Sequence, residues 1–142
     1  MTVAVEYVFG RLEQVARDLG LRMVVLFGSR ATGRALRPTS DLDIAVLDRV
    51  VPTWTRWAEV HRALSQVFRP YELDLAFLNT ADAFFRLEIM RRAVLLYGDR
   101  DTFDAYRVFA YRDFVETEDL RKLEDVLMRK KMAFLRRCLH GE

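Results

Sequence analysis

At 142 residues the chain is long enough to bury one hydrophobic core and too short for two. Its 23 basic residues nearly cancel its 21 acidic ones, leaving a formal charge of +2, so direct nucleic-acid binding is not expected from the total. No apolar run reaches the ~18 residues that span a bilayer, the N-terminus lacks the pattern of a secretory leader, and Cys138 stands alone without a disulfide partner, which together predict a cytoplasmic protein with no membrane contact.

Val5, Val8, Phe9, Leu12, Val15 and Leu19 recur at helical spacing and predict a helix from about Val3 to Leu19, closed by Gly20. Leu21 to Phe27 is a short branched apolar run, the pattern of a buried strand, and Gly28 ends it. Ser29 to Gly33 would open a short helix, Arg34 to Ser40 reads as a loop, and Leu42 to Leu47 is a second strand. Thr53 is placed to cap a helix through Trp54, Trp57, Val60, Leu64 and Val67, which Pro70 stops. Its tryptophans are assigned to the core, with a partner surface as the alternative.

Glu72 to Leu78 predicts a third strand, Asn79-Thr80 the start of another helix through Phe84, Leu87 and Met90, and Val94 to Tyr97 a short extended run before Gly98. From Asp101 to about Leu139 an apolar helical period continues without Pro or Gly, as one helix or as two joined at Glu116 to Glu118. Its basic end, Arg129 to Arg137, reads as a solvated helix terminus, where cations are favoured, with a partner- or RNA-binding face as the alternative. This alternation predicts an α/β sandwich, a small sheet packed with helices.

Chemistry concentrates between Gly28 and Asp74. Asp41 and Asp43 lie two apart on a strand and share a face, while Leu42 and Ile44 point the other way. Carboxylates held that close repel unless a cation sits between them, and a hard divalent ion such as Mg²⁺ suits all-oxygen ligands. Asp74, in a similar apolar run, would complete a site for two metals if its strand lies alongside; Glu72 shares its face and competes for that role. Gly28-Ser29, between a strand and a helix start, offers backbone donors and a hydroxyl to phosphate. Gly28 and Gly33 also have P-loop spacing, but Arg34 and Ala35 stand where that loop needs Lys and Ser or Thr, which removes the P-loop as a rival.

Gly28-Ser29, a loop, Asp41-x-Asp43 and a later Asp74 resemble the minimal nucleotidyltransferases (MNT) of the DNA polymerase β-like superfamily, over about residues 1–100. The loop from Arg30 to Ser40 is one residue longer than the commonest family pattern. The resemblance implies a polymerase β-like fold with the nucleotidyltransferase core in residues 1–100 and a helical extension of the same domain in residues 101–142. It implies transfer of AMP from ATP to a hydroxyl. Asp41 and Asp43 would hold two Mg²⁺ ions, Asp74 would bind the catalytic ion and help deprotonate the acceptor, and Arg30 and Ser40 would add phosphate contacts.

Short MNT proteins are similar to antitoxins paired with a HEPN-domain ribonuclease toxin, on which tyrosine is the expected acceptor. A small-molecule nucleotidyltransferase of the aminoglycoside-modifying type and an antitoxin acting by binding alone are the alternatives. Arg56 and His61 have the Arg-x4-His spacing of the HEPN ribonucleases themselves, a match read as coincidence on a helix of an α/β chain.

Overall fold

The computed structural model describes residues 9–28, 31 and 41–141. In chain order the elements are α1 (Phe9–Leu19), β1 (Met23–Phe27), β2 (Leu42–Leu47), α2 (Trp54–Val67), β3 (Leu73–Phe77), α3 (Ala83–Arg91), β4 (Val94–Gly98), α4 (Arg100–Glu116) and α5 (Glu118–His140). The start predicted for the first helix, Val3 to Val8, and the short helix and loop predicted at Ser29 to Ser40 lie outside the described residues, apart from Ala31.

The strands form one mixed sheet in the order β3-β2-β1-β4. β1 runs antiparallel to both β2 and β4, whereas β2 and β3 are parallel, the crossover helix α2 carrying the chain back between them. Both faces of the sheet are covered. Val24, Leu26, Leu42, Ile44, Val46, Leu75 and Phe77 meet Leu12 and Ala16 of α1 and Val60, Leu64 and Val67 of α2. Met23, Val25, Ala45 and Leu47 meet Ile89 and Met90 of α3 and Phe103 and Ala110 of α4. Period-two alternation therefore sends successive residues of each strand into two separate cores.

Local chemistry sets the boundaries. Gly20, at φ +70°, closes α1: its amide donates to Arg17 O and the Leu21 amide donates to Ala16 O, both at 3.0 Å. Thr53 caps α2 by accepting from the Arg56 amide. The next helix starts later than expected. Its cap is Asp82, which accepts from the Phe85 amide at 2.8 Å, rather than Asn79 or Thr80. Asn79 is committed elsewhere, exchanging two 2.9 Å hydrogen bonds with the backbone of Asp48 and so clamping the end of β3 to the end of β2.

The long C-terminal segment breaks at Thr117, within the predicted join. The Thr117 hydroxyl donates back to Asp113 O at 2.6 Å, and the Arg121 guanidinium covers the Phe114 ring and donates to Phe114 O. Beyond that break α5 buries none of its residues.

Among the described residues Asp48 is the buried charge, 3% exposed, and Arg56 Nε holds its Oδ2 at 2.8 Å. Arg56 also donates to Leu19 O, so a single guanidinium ties α1, β2 and α2 together. Burial alone would push the Asp48 carboxyl up; the hydrogen bonds from Arg56 and the Arg49 amide outweigh it and hold the group below the usual carboxylate range. Asp48→Ala leaves Arg56 short of its partner, and because that side chain keeps 23% exposure the expected loss is about 2 kcal/mol, less than for a sealed pair. Denaturant melts check this. A carboxylate with a lowered pKa stabilises above its unfolded pKa and loses that contribution on acidification, so the difference between wild type and variant should shrink below about pH 4. A constant difference down to pH 2 would refute the ion-pair account.

Candidate active site

Strand register brings the acids together. Phe27, the last residue of β1, pairs with Asp43 on β2, and Asp43 pairs in turn with Asp74 on β3. The site therefore lies where β1 ends and β2 and β3 begin. Asp43 shares its face with Ala45 and Leu47, the face covered by α3 and α4, but stands nearer the strand's start and is only half-buried. Asp41, two residues earlier, and Asp74 are exposed. Glu72 is exposed as well and sits one step outside the Asp43–Asp74 pairing, its carbonyl accepting from the Leu42 amide at 2.8 Å.

The tightest repulsion is between different carboxylates from those expected. Asp43 is pushed up from 3.8 to about 6, first by burial, then by the charge of Asp74 and a hydrogen bond with it, and last by Asp41. The sequence neighbours Asp41 and Asp43 share a face, but the partner across the ladder dominates. Among the described residues no Lys, Arg or His forms an ion pair with any of the three.

Gly28 is required by this carboxylate. It holds φ +75°, and a Cβ there would collide with Asp43 Oδ2 and lie 2.9 Å from Asp43 Cγ. The missing side chain is the space that Asp43 occupies. Ser29, Arg30 and Ser40 lie outside the described residues.

Clustered oxygen-only donors suit a hard divalent cation. Among the described residues no group of three His, Cys, Asp or Glu side chains converges on one point. Asp43 and Asp74 make the close pair and Asp41 flanks it, so the donor set fits an ion that takes its remaining ligands from water and from substrate phosphates, as Mg²⁺ does.

The pair opens into a cleft of about 680 Å³. Asp43, Asp74 and Ala76 belong to its floor, Trp54 and Trp57 come from α2, and Phe27, Thr80, Asp82 and Phe85 complete it. Phe27 and Phe85 meet edge to face with centroids 6.2 Å apart. A second recess of about 500 Å³ holds Asp41 and Asp74 together with His61, Tyr71 and Glu72. A larger hollow of about 760 Å³ lies at the opposite end of β1, beside Arg22 and Gly98. Its acids are engaged: Glu13 pairs with Arg17, and Asp99 caps α4.

The tryptophans correct one expectation. Trp54 is 78% exposed and Trp57 half-buried against the sheet core, so the core assignment holds for Trp57 only. Spacing at i, i+3 and i+7 was the available signal for a shared face of Trp54, Trp57 and His61. The Arg-x4-His match dissolves as well, since Arg56 is bound to Asp48 while His61 stacks on Trp57 with centroids 4.8 Å apart.

Residues 11–102 match the family model "Polymerase beta, Nucleotidyltransferase". A search of curated proteins finds no match. Among solved structures, a chain of a toxin–antitoxin crystallised with AMP-PNP superposes with TM-score 0.69 at 22% identity, covering 84% of this chain and 98% of that one. A chain from tri-AMPylated Shewanella oneidensis HEPN toxin in complex with MNT antitoxin gives TM-score 0.66 at 19% identity, with 87% and 98% covered. A minimal nucleotidyltransferase gives TM-score 0.53 at 28% identity, with 63% and 93% covered. The family match spans well over half of the chain and includes Gly28, Asp41, Asp43 and Asp74, and the four-stranded mixed sheet is the fold of those structures; the chain belongs to the polymerase beta nucleotidyltransferase family.

Proposed function

We propose that the protein is a magnesium-dependent antitoxin of the cytoplasm that transfers AMP from ATP to a tyrosine hydroxyl of a cognate HEPN ribonuclease toxin. One observation carries the chemistry: Asp43 faces Asp74 across a parallel ladder, beside a glycine that leaves room for nothing but the carboxylate. The partner is inferred from similarity to toxin–antitoxin chains, among them one in complex with an AMPylated HEPN toxin. No helix among the described residues is long and apolar enough to cross a membrane.

In this reading the triphosphate lies over Gly28-Ser29, with Arg30 and Ser40 as further phosphate contacts. Two Mg²⁺ ions, held by Asp41, Asp43 and Asp74, would polarise the α-phosphate and lower the charge between donor and acceptor. The acceptor oxygen bonds to the α-phosphorus as the bond from that phosphorus to the bridging oxygen breaks, and pyrophosphate leaves with the electron pair. Asp74, at the edge of the sheet, takes the hydroxyl proton.

Incubating the protein with Mg²⁺, labelled ATP and a HEPN toxin encoded beside it should move label onto the toxin, with pyrophosphate released one for one. Label reaching aminoglycosides and no protein would establish the small-molecule alternative instead.

A second reading, neutralisation by binding alone, is favoured by α5. That helix leaves Leu120, Leu123, Leu127, Met128, Phe134 and Leu135 exposed, a large apolar area for a chain of this size. Co-expression separates the two. Full protection from the toxin by an Asp41→Ala, Asp43→Ala double variant would make binding sufficient, and loss of protection would make transfer necessary.

A further inference from the structure

Helix α5 follows the break at Thr117 and runs for 23 residues, about 34 Å, without burying one of them. A helix in that setting owes its stability to whatever packs on it, and α5 has an apolar side to offer. Leu120, Leu127 and Phe134 recur every seven residues along one row, and Met128 and Leu135 form a second row on the other flank; all five are exposed. Between the rows stand Glu124 and Lys131, four residues beyond Leu120 and Leu127. Lys122 pairs with Glu118 and Arg129 with Asp125 along the helix, whereas among the described residues neither Glu124 nor Lys131 forms an ion pair.

An acid and a base in the middle of an apolar face call for a partner that answers both, and α5 itself does so. Residues 118–125 carry Glu118, Asp119, Glu124 and Asp125 against Arg121 and Lys122, while Arg129 to Arg137 holds five cations and no acid. Two copies side by side in parallel would set Lys131 against Lys131 and crowd the basic ends together. Reversed about a twofold axis between Leu127 and Met128, Glu124 of each copy comes level with Lys131 of the other. Leu120 then approaches Phe134 of the other copy, Leu127 meets its own counterpart, and the acidic end of one helix lies along the basic end of its mate. We propose that α5 pairs antiparallel with α5 of a second copy of this chain, so that the protein is a homodimer before it meets any toxin. A HEPN toxin is the other candidate for these apolar rows, but docking on a different surface would not require the helix to be complementary to its own reverse. The two Glu124–Lys131 pairs set the register and direction of the seam, and the leucines with Phe134 supply its burial.

Sedimentation equilibrium of the full chain without toxin should give twice the mass of one chain at micromolar concentration. Glu124→Lys and Lys131→Glu should each raise the Kd of the dimer about a hundredfold, because each sets like charges against one another twice across the seam. Combining the two reversals in one chain should restore dimerisation to within a few fold of wild type. Cys138 is the sole cysteine, so a nitroxide attached there reads the direction of pairing. Antiparallel helices place the two labels roughly 30–35 Å apart, whereas parallel ones bring them within about 15 Å. A chain that stays monomeric at about 100 µM, a dimer indifferent to both single reversals, or labels at the shorter distance would each overturn the proposal. A monomeric chain whose capture of the neighbouring toxin is weakened by the single reversals would overturn it as well, and assign the face to the toxin.

Discussion

Asp43→Asn should lower AMP transfer about a thousandfold while making the metal-free protein more stable near neutral pH. The loss in rate follows from the position of Asp43, which is half-buried between Gly28 and Asp74, where a carboxylate provides charge that an amide of the same shape does not. The gain in stability follows from its raised pKa. Asp43 titrates at about 6 in the folded chain, against an ordinary value of 3.8. An acid with a raised folded pKa binds its proton more tightly when folded, so stability falls as pH rises from about 4 to about 6 and stays low above that. Asparagine carries no such penalty. After allowance for solvent screening of a half-exposed group, the variant should be about 1 kcal/mol more stable at pH 7 and equal to wild type near pH 4. Denaturant melts in EDTA across that range measure both ends. Parallel curves for the two proteins from pH 4 to pH 7 would mean that Asp43 is not strained, and a variant that still transfers AMP at the wild-type rate would remove it from the chemistry.

The elements were legible in the sequence wherever local chemistry decides them. Thr53 and Gly20 perform the capping roles that their residue types suggest, and the helix break falls at Thr117, inside the stretch where the apolar period falters. Tertiary contacts account for the misses. Asn79 resembles a helix cap, but its amide matches the backbone of Asp48 thirty-one residues away, a contact that no local window contains. Trp54 has the period of a buried residue on α2, yet it sits in the first turn, where it stacks on Trp57 and stays 78% exposed.

The acids followed the same division. Period two places Asp41 and Asp43 on one face without further information. Which of Glu72 and Asp74 faces them depends on strand register, and register is a property of the folded sheet. The parallel pairing of Ile44 with Leu75 and Val46 with Phe77 buries those apolar partners in one core, and the same alignment sets Asp74 opposite Asp43. Slipping β3 by one residue would turn Leu75 and Phe77 to the other face, and Asp74 with them. A slip of two would keep the faces and set Glu72 opposite Asp43, so the full pairing from Leu42–Leu73 to Val46–Phe77 is what selects Asp74.

Gly28→Ala should cost about 2 kcal/mol and lower AMP transfer about a hundredfold, and the two losses should have partly separate causes. Some of the stability loss is backbone strain, since φ +75° is a conformation that alanine adopts at a cost of about 1 kcal/mol. The remainder is the collision with Asp43, whose Oδ2, Cγ and Cβ would all lie within 3.1 Å of the new methyl group. Because a carboxylate can rotate away, relief is available, but only by turning Asp43 from the orientation in which it faces Asp74. Activity therefore suffers more than folding does. A double-mutant cycle isolates the collision. In an Asp43→Ala background the carboxylate is gone, and Gly28→Ala should cost only the strain, about 1 kcal/mol. Equal losses in both backgrounds would assign the whole effect to the backbone and leave Gly28 with a phosphate-binding role alone. A smaller loss in the Asp43→Ala background would mean that the glycine of the Gly-Ser turn and the second acid of Asp-x-Asp are a single steric unit, joined across the ladder between β1 and β2.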